Sequence, residues 1–265
     1  SFYSRRYNKI NMSKILVTGS SSGIGAEICR GLQAEGNHVI GLALANADVT
    51  ADIGCSESRA SAIEKIIKLS DGQLSGLVCS AGLGPSAYPE LIIAVNYFGT
   101  ISILDALLPA LESAKPSAAV ILASTGATQL NLDENPLVEA MLTGDEPLAK
   151  SQAKAMGSGM FAYCASKYAL IVGMRKRALD WSKSGVRLNG IAPGPIETPM
   201  LKALEEDSRL PDEARNFLPP IGRKGQANEI ASLVKYLLSP DANFMHGSLI
   251  YMDGGINAVT RPKIF

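Results

Sequence analysis

The string Tyr163-Cys164-Ala165-Ser166-Lys167 sets a phenol and an ammonium four positions apart. On a helix that spacing puts both on one face. A free phenol titrates near pH 10 and is a poor base at neutral pH. A neighbouring cation favours the phenolate and draws its pKa toward the working range, and a cationic ring bound nearby would add to that pull. Alone, the pair is common and reads first as a solvated helix pair. Ser124 closes the apolar run 118–125, where its hydroxyl can donate to a ligand oxygen or merely end a strand. Asn96, inside Val95-Asn96-Tyr97-Phe98-Gly99, is a poor helix former in a helical stretch and points to a structural or water-relay role.

A second chemical signal is the loop Thr18-Gly19-Ser20-Ser21-Ser22-Gly23-Ile24-Gly25, which follows an apolar run and precedes a helical one. Glycines there let the backbone turn tightly and approach a ligand, while a helix start offers unpaired N–H groups and a positive dipole end. A pyrophosphate suits such a place. The spacing G-x-x-x-G-x-G is not the strict dinucleotide fingerprint G-x-G-x-x-G, and alone it fits a tight strand–helix turn too. After the first strand of a doubly wound sheet it reads as a nucleotide site. An acid is expected at the end of the second strand to bond the adenosine ribose. That stretch is Gly41-Leu42-Ala43-Leu44-Ala45-Asn46, with no acid before Asp48 and no Arg or Lys for a 2′-phosphate. The choice between NAD and NADP stays open.

Composition excludes several alternatives. The 265 residues are 46% hydrophobic and 19% charged, enough for one large α/β domain. Twenty-five basic and 25 acidic side chains cancel, which argues against nucleic acid or an anionic membrane as the main partner. Two histidines, His38 and His246, leave no His-rich metal site, so no metal is expected. Cys29, Cys55, Cys79 and Cys164 have neither zinc nor redox spacing and are expected as small buried thiols in a reducing cytoplasm. No uninterrupted apolar run is long enough for a membrane span. Residues 1–11 carry Arg5, Arg6 and Lys9 without a following apolar stretch, so they read as a disordered leader or expression remnant before Met12, not a signal peptide.

The elements that must position these residues alternate. Strands are predicted at 14–19, 38–44, 48–53, 74–82, 118–125, 186–194 and 247–255, and helices at 24–36, 58–69, 92–111, 161–185 and 228–240. Fully apolar strands between helices mean a parallel sheet covered on both faces. The predicted fold is therefore α/β: one doubly wound Rossmann-type sheet of about seven strands over residues 12–265, without internal repeats. Residues 126–160 are predicted as a helical excursion shaping an oligomer interface or the substrate entrance, with Leu137, Val138, Met141 and Leu142 on one apolar face that either the domain itself or a second subunit must cover. Residues 196–227, rich in Pro and charge, read as a mobile flap.

Taken together, the chain resembles a short-chain dehydrogenase/reductase over nearly all of residues 13–265. The carrying residues are those of 18–25, Ala81-Gly82, Asn96, Ser124, Tyr163 to Lys167 and 193–198. The strings at 81–85, 95–99, 185–194 and 253–262 are similar to its hydroxysteroid- and carbonyl-converting branch. The resemblance implies an NAD(P)-dependent oxidoreductase interconverting an alcohol and a carbonyl compound, on a hydrophobic and possibly steroid substrate, with NAD slightly favoured. It implies Ser124 orienting the substrate oxygen, Tyr163 as general acid/base, Lys167 lowering the tyrosine pKa while holding the nicotinamide ribose, and Asn96 holding a relay water. It implies further that Gly19, Ser20, Ser21, Ser22, Gly23, Ile24, Asp52, Ile53, Gly82 and Thr198 line the cofactor, and that the protein is a cytoplasmic homo-oligomer, dimer or tetramer. A non-catalytic nucleotide-binding regulator and a dehydrogenase for a non-steroid alcohol are the alternatives. Three features depart from the family pattern. The usual Asn-Ala-Gly is Ser80-Ala81-Gly82, the ribose acid is replaced by Ala43, and 39 positions separate Ser124 from Tyr163, where most members have far fewer.

Overall fold

A computed structural model describes residues 13–208 and 212–264; the predicted leader over residues 1–11 lies outside them. In chain order run β1 (Lys14–Thr18), α1 (Gly23–Ala34), β2 (His38–Ala43), β3 (Val49–Thr50), α2 (Ser56–Ser70) and β4 (Gly76–Cys79). A long helix follows in three parts: α3 (Pro89–Ile93), a π-turn (Ala94–Gly99) and α4 (Thr100–Glu112). Then come β5 (Ser117–Leu122), α5 (Pro136–Leu142), α6 (Glu146–Met156), α7 (Gly159–Lys183) and β6 (Val186–Pro193). The chain closes with α8 (Pro199–Glu205), α9 (Asp212–Arg215), α10 (Ala227–Leu238), β7 (Leu249–Met252) and α11 (Ile256–Thr260).

All seven strands are parallel, in the order β3-β2-β1-β4-β5-β6-β7. Alternation along each strand feeds two cores. Leu16, Ile40, Leu42, Leu77, Ile121 and Leu188 meet side chains of α2, α4 and α7, including Ile66, Leu104 and Met174. Ile15, Val17, Val39, Val78, Val120 and Ile191 meet Ile28 and Leu32 of α1 and Ile230, Val234 and Leu237 of α10. Burial on both faces explains why the strands read as continuous apolar runs. The order reverses between β1 and β4, and the crevice at the carboxyl ends of the strands there is where open sheets of this kind take ligands.

Three strands are much shorter than predicted. Of 247–255 only Leu249–Met252 is strand, because Gly247 before it and Gly254 and Gly255 after it take left-handed φ of 71°, 63° and 96°. Hydrogen bonding explains the other two. Within 48–53 only Val49 and Thr50 pair with β2, because the Asp52 N–H turns to Ser58 Oγ (3.0 Å) and the Gly54 N–H to Asp52 Oδ1 (2.8 Å). The run 74–82 leaves the sheet after Cys79, because the N–H groups of Ser80 and Ala81 both donate to Thr18 Oγ1, at 3.1 and 3.0 Å. The helix Pro89–Glu112 is long and apolar enough, by length and composition, to cross a membrane. Asn96 and Asp105 interrupt its apolar run, and Ile92, Ile93, Ile103, Leu104 and Leu107 are buried in the domain.

The excursion is helical, as predicted, and of the two covers open to its apolar face the structure shows the domain's own. Asn135, Asp145 and Ser158 cap the starts of α5, α6 and α7, their oxygens accepting from the N–H groups of Leu137, Leu148 and Phe161. Leu137, Val138 and Met141 are buried in the same core as α4 and α7, with Leu142 packed against it half-buried. The domain itself covers that face, so it is not an oligomer interface. The expectation for the cysteines is also corrected: Cys79 and Cys164 are buried, Cys29 is half-buried, and Cys55 is exposed just before α2, its thiol 3.2 Å from Glu57 Oε2.

Candidate active site

The glycine loop leaves β1 at Gly19 with φ of 69°, a left-handed conformation, and a Cβ there would sit 2.9 Å from the Ala81 backbone. At Gly25 a Cβ would fall 2.1 Å from the Gly19 carbonyl oxygen. The loop thus folds back on the start of α1 at a separation only glycine permits. Ser22 is the residue before α1 and makes no side-chain cap, which leaves the first N–H groups of the helix facing the crevice.

Ser124 stands just past β5, and its Oγ accepts the Gly126 N–H at 3.0 Å. That contact uses an oxygen lone pair and keeps the hydroxyl proton for donation toward Tyr163, whose phenolate it favours. Tyr163 and Lys167 lie one turn apart on α7, with Lys167 Nζ 5.9 Å from the phenol ring centre. Lys167 Nζ donates to the Leu122 carbonyl at 2.9 Å. Burial lowers the lysine pKa to about 8. Burial also raises the Tyr163 pKa, and the Ser124 hydrogen bond opposes that rise. The phenol is therefore displaced upward here, opposite to the direction expected from the Tyr–Lys spacing, because desolvation outweighs the pull of its surroundings.

Asn96 occupies the π-turn, fully buried. Its Oδ1 accepts from the Leu83 N–H at 2.7 Å, and its Nδ2 donates to the Leu83 carbonyl at 3.1 Å and to Ser166 Oγ at 3.2 Å. Of the two roles open to it, this geometry shows the structural one, tying the loop after β4 to α7. Both amide hydrogens are committed, so a water held there would have to bond to oxygen atoms.

Ser124, Tyr163 and Lys167 border one cavity of about 500 Å³. Gly19, Ser22, Gly23, Ile24, Gly82, Ser124, Tyr163, Lys167 and Thr198 line it; Ser20, Ser21, Asp52, Ile53 and Asn96 do not. Ser20 turns its hydroxyl over Gly41, Asp52 is exposed to solvent, and Ile53 points its side chain into the core beside Gly99. Thr198 caps α8 and lies against Gly23. The segment predicted as a flap contributes Met200, Leu201, Leu204 and Phe217 to the wall, and the loop after β4 and the end of the excursion add Leu83 and Met160. Sequence reasoning missed two residues that hold this arrangement. Thr18 clamps the loop after β4, and its signal was a polar residue ending an apolar strand. Asp253, which accepts from the Gly255 and Asn257 N–H groups at 2.9 and 2.7 Å, gave none.

With this geometry in hand, comparison with known proteins is direct. A family model described as short chain dehydrogenase matches residues 13–136, and one described as enoyl-(acyl carrier protein) reductase matches residues 148–257. A 3-alpha-hydroxysteroid dehydrogenase/carbonyl reductase from Comamonas testosteroni is 41% identical over 257 residues, covering 96% of this chain and 100% of that protein. The chain belongs to the short-chain dehydrogenase/reductase family. This dehydrogenase is also 30% identical over 272 residues to a coniferyl-alcohol dehydrogenase from a Pseudomonas strain, covering 94% of the chain and 98% of that protein. Its fold matches the crystal structure of a 3-alpha-hydroxysteroid dehydrogenase from Pseudomonas sp. B-0831 complexed with NADH. The TM-score is 0.93 and the identity 43%, over 96% of this chain and 100% of that one.

The dehydrogenase is an oxidoreductase that takes a nicotinamide dinucleotide, and its residues fit one. Gly19 and Gly25 let the loop backbone lie directly against the start of α1, and that uncapped start supplies N–H donors for a pyrophosphate. Ser20 Oγ is buried without a hydrogen-bond partner, an orphan polar atom at the foot of that loop. At the end of β2, Ala43 is buried and leaves no acid for the ribose; Asp48 instead accepts the Gly41 N–H at 2.7 Å.

Proposed function

We propose that this dehydrogenase interconverts a secondary alcohol and its carbonyl form on a hydrophobic substrate, a hydroxysteroid in first place, with NAD(H) as redox partner. The observation that carries the reading is the cavity itself. Its floor holds Ser124, Tyr163 and Lys167, and its wall is apolar at Leu83, Met160, Met200, Leu204 and Phe217. The names of the 41% and 43% identical relatives, and the NADH bound to the second, support the substrate and cofactor classes.

The nicotinamide, when bound, accepts or supplies the hydride. Tyr163 takes the alcohol proton in oxidation or donates its own in reduction. Ser124, with its oxygen already accepting from Gly126, turns its proton to the substrate oxygen and orients it. Lys167 holds the nicotinamide ribose and supplies the nearby cation that favours the phenolate. Gly19, Ser20, Ser21, Ser22, Gly23 and Ile24 hold the pyrophosphate side, Asp52 and Ile53 the adenine, and Gly82 and Thr198 the nicotinamide side. Asn96 fixes Leu83 over the site and would bond a relay water through oxygen. The wholly exposed Phe244 and the exposed Leu179 support a homo-oligomer, dimer or tetramer, and four free cysteines support a cytoplasmic location.

The test is absorbance of the reduced nicotinamide with purified protein, both cofactors, and a panel of hydroxysteroids and short alcohols. The expected outcome is turnover with kcat/KM at least about tenfold higher for the steroids, the scale of one or two added apolar contacts. Cofactor binding without any turnover would favour the non-catalytic regulator instead. Turnover restricted to short polar alcohols would reject the hydrophobic substrate.

A further inference from the structure

We infer that Glu146 and Arg59 are positioning residues for the adenosine half of the dinucleotide, and that the helical excursion exerts its effect on the cofactor through them. The inference rests on the reading that the loop Asp52–Gly54 meets the adenine.

Arg59, on α2, is a buried cation, 7% exposed. Its guanidinium divides its bonds: Nη1 donates to the Ile53 carbonyl at 3.0 Å and Nη2 pairs with Glu146 Oε2 at 2.9 Å. Glu146 opens α6, 87 positions along the chain and inside the excursion. The pair is shielded from water, with side-chain exposures of 8% and 21%. On the other side the loop rests against the π-turn. A Cβ on Gly99 would come within 2.8 Å of the Ile53 oxygen, and one on Gly54 within 3.0 Å of Val95. The Ile53 carbonyl is thus held between a guanidinium and the helix that carries Asn96.

A guanidinium is a rigid planar fork, so it meets both acceptors only when both are in place. With Glu146 gone, Arg59 would be a buried cation without a carboxylate, and its favourable course is to swing toward water. The Ile53 carbonyl then loses its donor, and the loop is left with its bonds within residues 52–58, from the Asp52 N–H to Ser58, the Gly54 N–H to Asp52 Oδ1 and the Cys55 N–H to the Asp52 carbonyl. Neither Arg59 nor Glu146 borders the cavity at Tyr163. The defect therefore falls on cofactor affinity and leaves the hydride and proton steps alone.

The test compares the native protein with Glu146→Gln, the milder Glu146→Asp, and Arg59→Lys, each confirmed as folded by its urea transition. NADH affinity is read by fluorescence titration, and AMP, which carries only the adenosine half, by its competitive inhibition constant. Expected are losses of about tenfold for both NADH and AMP in Glu146→Gln and Arg59→Lys, a smaller loss in Glu146→Asp, and kcat at saturating cofactor within about twofold. Unchanged NADH affinity overturns the inference, and so does a loss for NADH without a matching loss for AMP, or a fall in kcat of the same size. Asp52→Ala separates the two layers. If it weakens AMP binding while the Glu146 and Arg59 variants do not, the positioning role alone falls. If it too leaves AMP unaffected, the adenine assignment of the loop falls with it.

Discussion

Replacing Lys167 with Met is expected to abolish turnover yet stabilise the cofactor-free protein at neutral pH. Burial lowers the lysine pKa from 10.5 to about 8. A displacement of that size corresponds to about 3 kcal/mol acting against the charged form in the folded state. Methionine has similar bulk and carries no charge, so it escapes that cost. Against it stands the lost bond to the Leu122 carbonyl, and an orphaned buried acceptor costs about 1–3 kcal/mol. The net gain at pH 7 is then on the order of 1 kcal/mol. The pH dependence is the sharper signature. Between pH 8 and 10.5 the unfolded chain still binds the lysine proton and the native chain does not, so native stability rises with pH across that window. The Lys167→Met variant lacks this rise. Its advantage is full below pH 8 and should shrink by about 3 kcal/mol by pH 10.5, ending as a deficit equal to the lost hydrogen bond. Urea unfolding of both proteins without cofactor, at pH steps across the window, measures the difference. A stability difference that does not change with pH would refute the account of Lys167 as a desolvated cation.

Three further outcomes are expected. Tyr163→Phe should lower kcat by about 10²-fold or more while NADH titration shows retained binding, because only the transferable proton is removed; more than a tenth of native kcat would contradict its role. Ala43→Asp should raise the ratio of kcat/KM for NAD over NADP, since a carboxylate at the end of β2 accepts ribose hydroxyls and repels a 2′-phosphate; an unmoved ratio places the ribose elsewhere. Met141→Gln should lower stability by about 2–5 kcal/mol in urea unfolding while light scattering shows the native mass, because the residue is fully buried in its own domain; a changed mass with native stability would contradict that placement.

The sheet was legible because burial on both faces writes itself as apolar runs, and β1, β2 and β6 lie within one residue of the predicted ranges, while β5 ends three residues early. The ends of β3 and β4 were not, because single hydroxyls decide them: Ser58 takes the Asp52 N–H, and Thr18 takes those of Ser80 and Ala81. Ser124, Tyr163 and Lys167 could be read from spacing and strand ends, and the structure brings them to one cavity. The direction of the Tyr163 pKa could not be read, since spacing reports the neighbouring cation but not how much water the phenol loses. The apolar face at Leu137 and Met141 was visible as a pattern. Which surface covers it depends on how α5 turns back onto α7, and periodicity carries no such direction.

The burial of that face has a consequence for anyone reshaping the enzyme. A surface insertion can ordinarily be pruned, because nothing beneath depends on it. Here, cutting the stretch between Ser124 and Tyr163 would strip cover from apolar side chains of the domain interior, among them those of α7, the helix that bears Tyr163 and Lys167. A shorter segment transplanted from a more compact relative would have to arrive with apolar residues of its own in matching places. Altering the catalytic mouth of this dehydrogenase and rebuilding part of its interior are, over these residues, a single design problem.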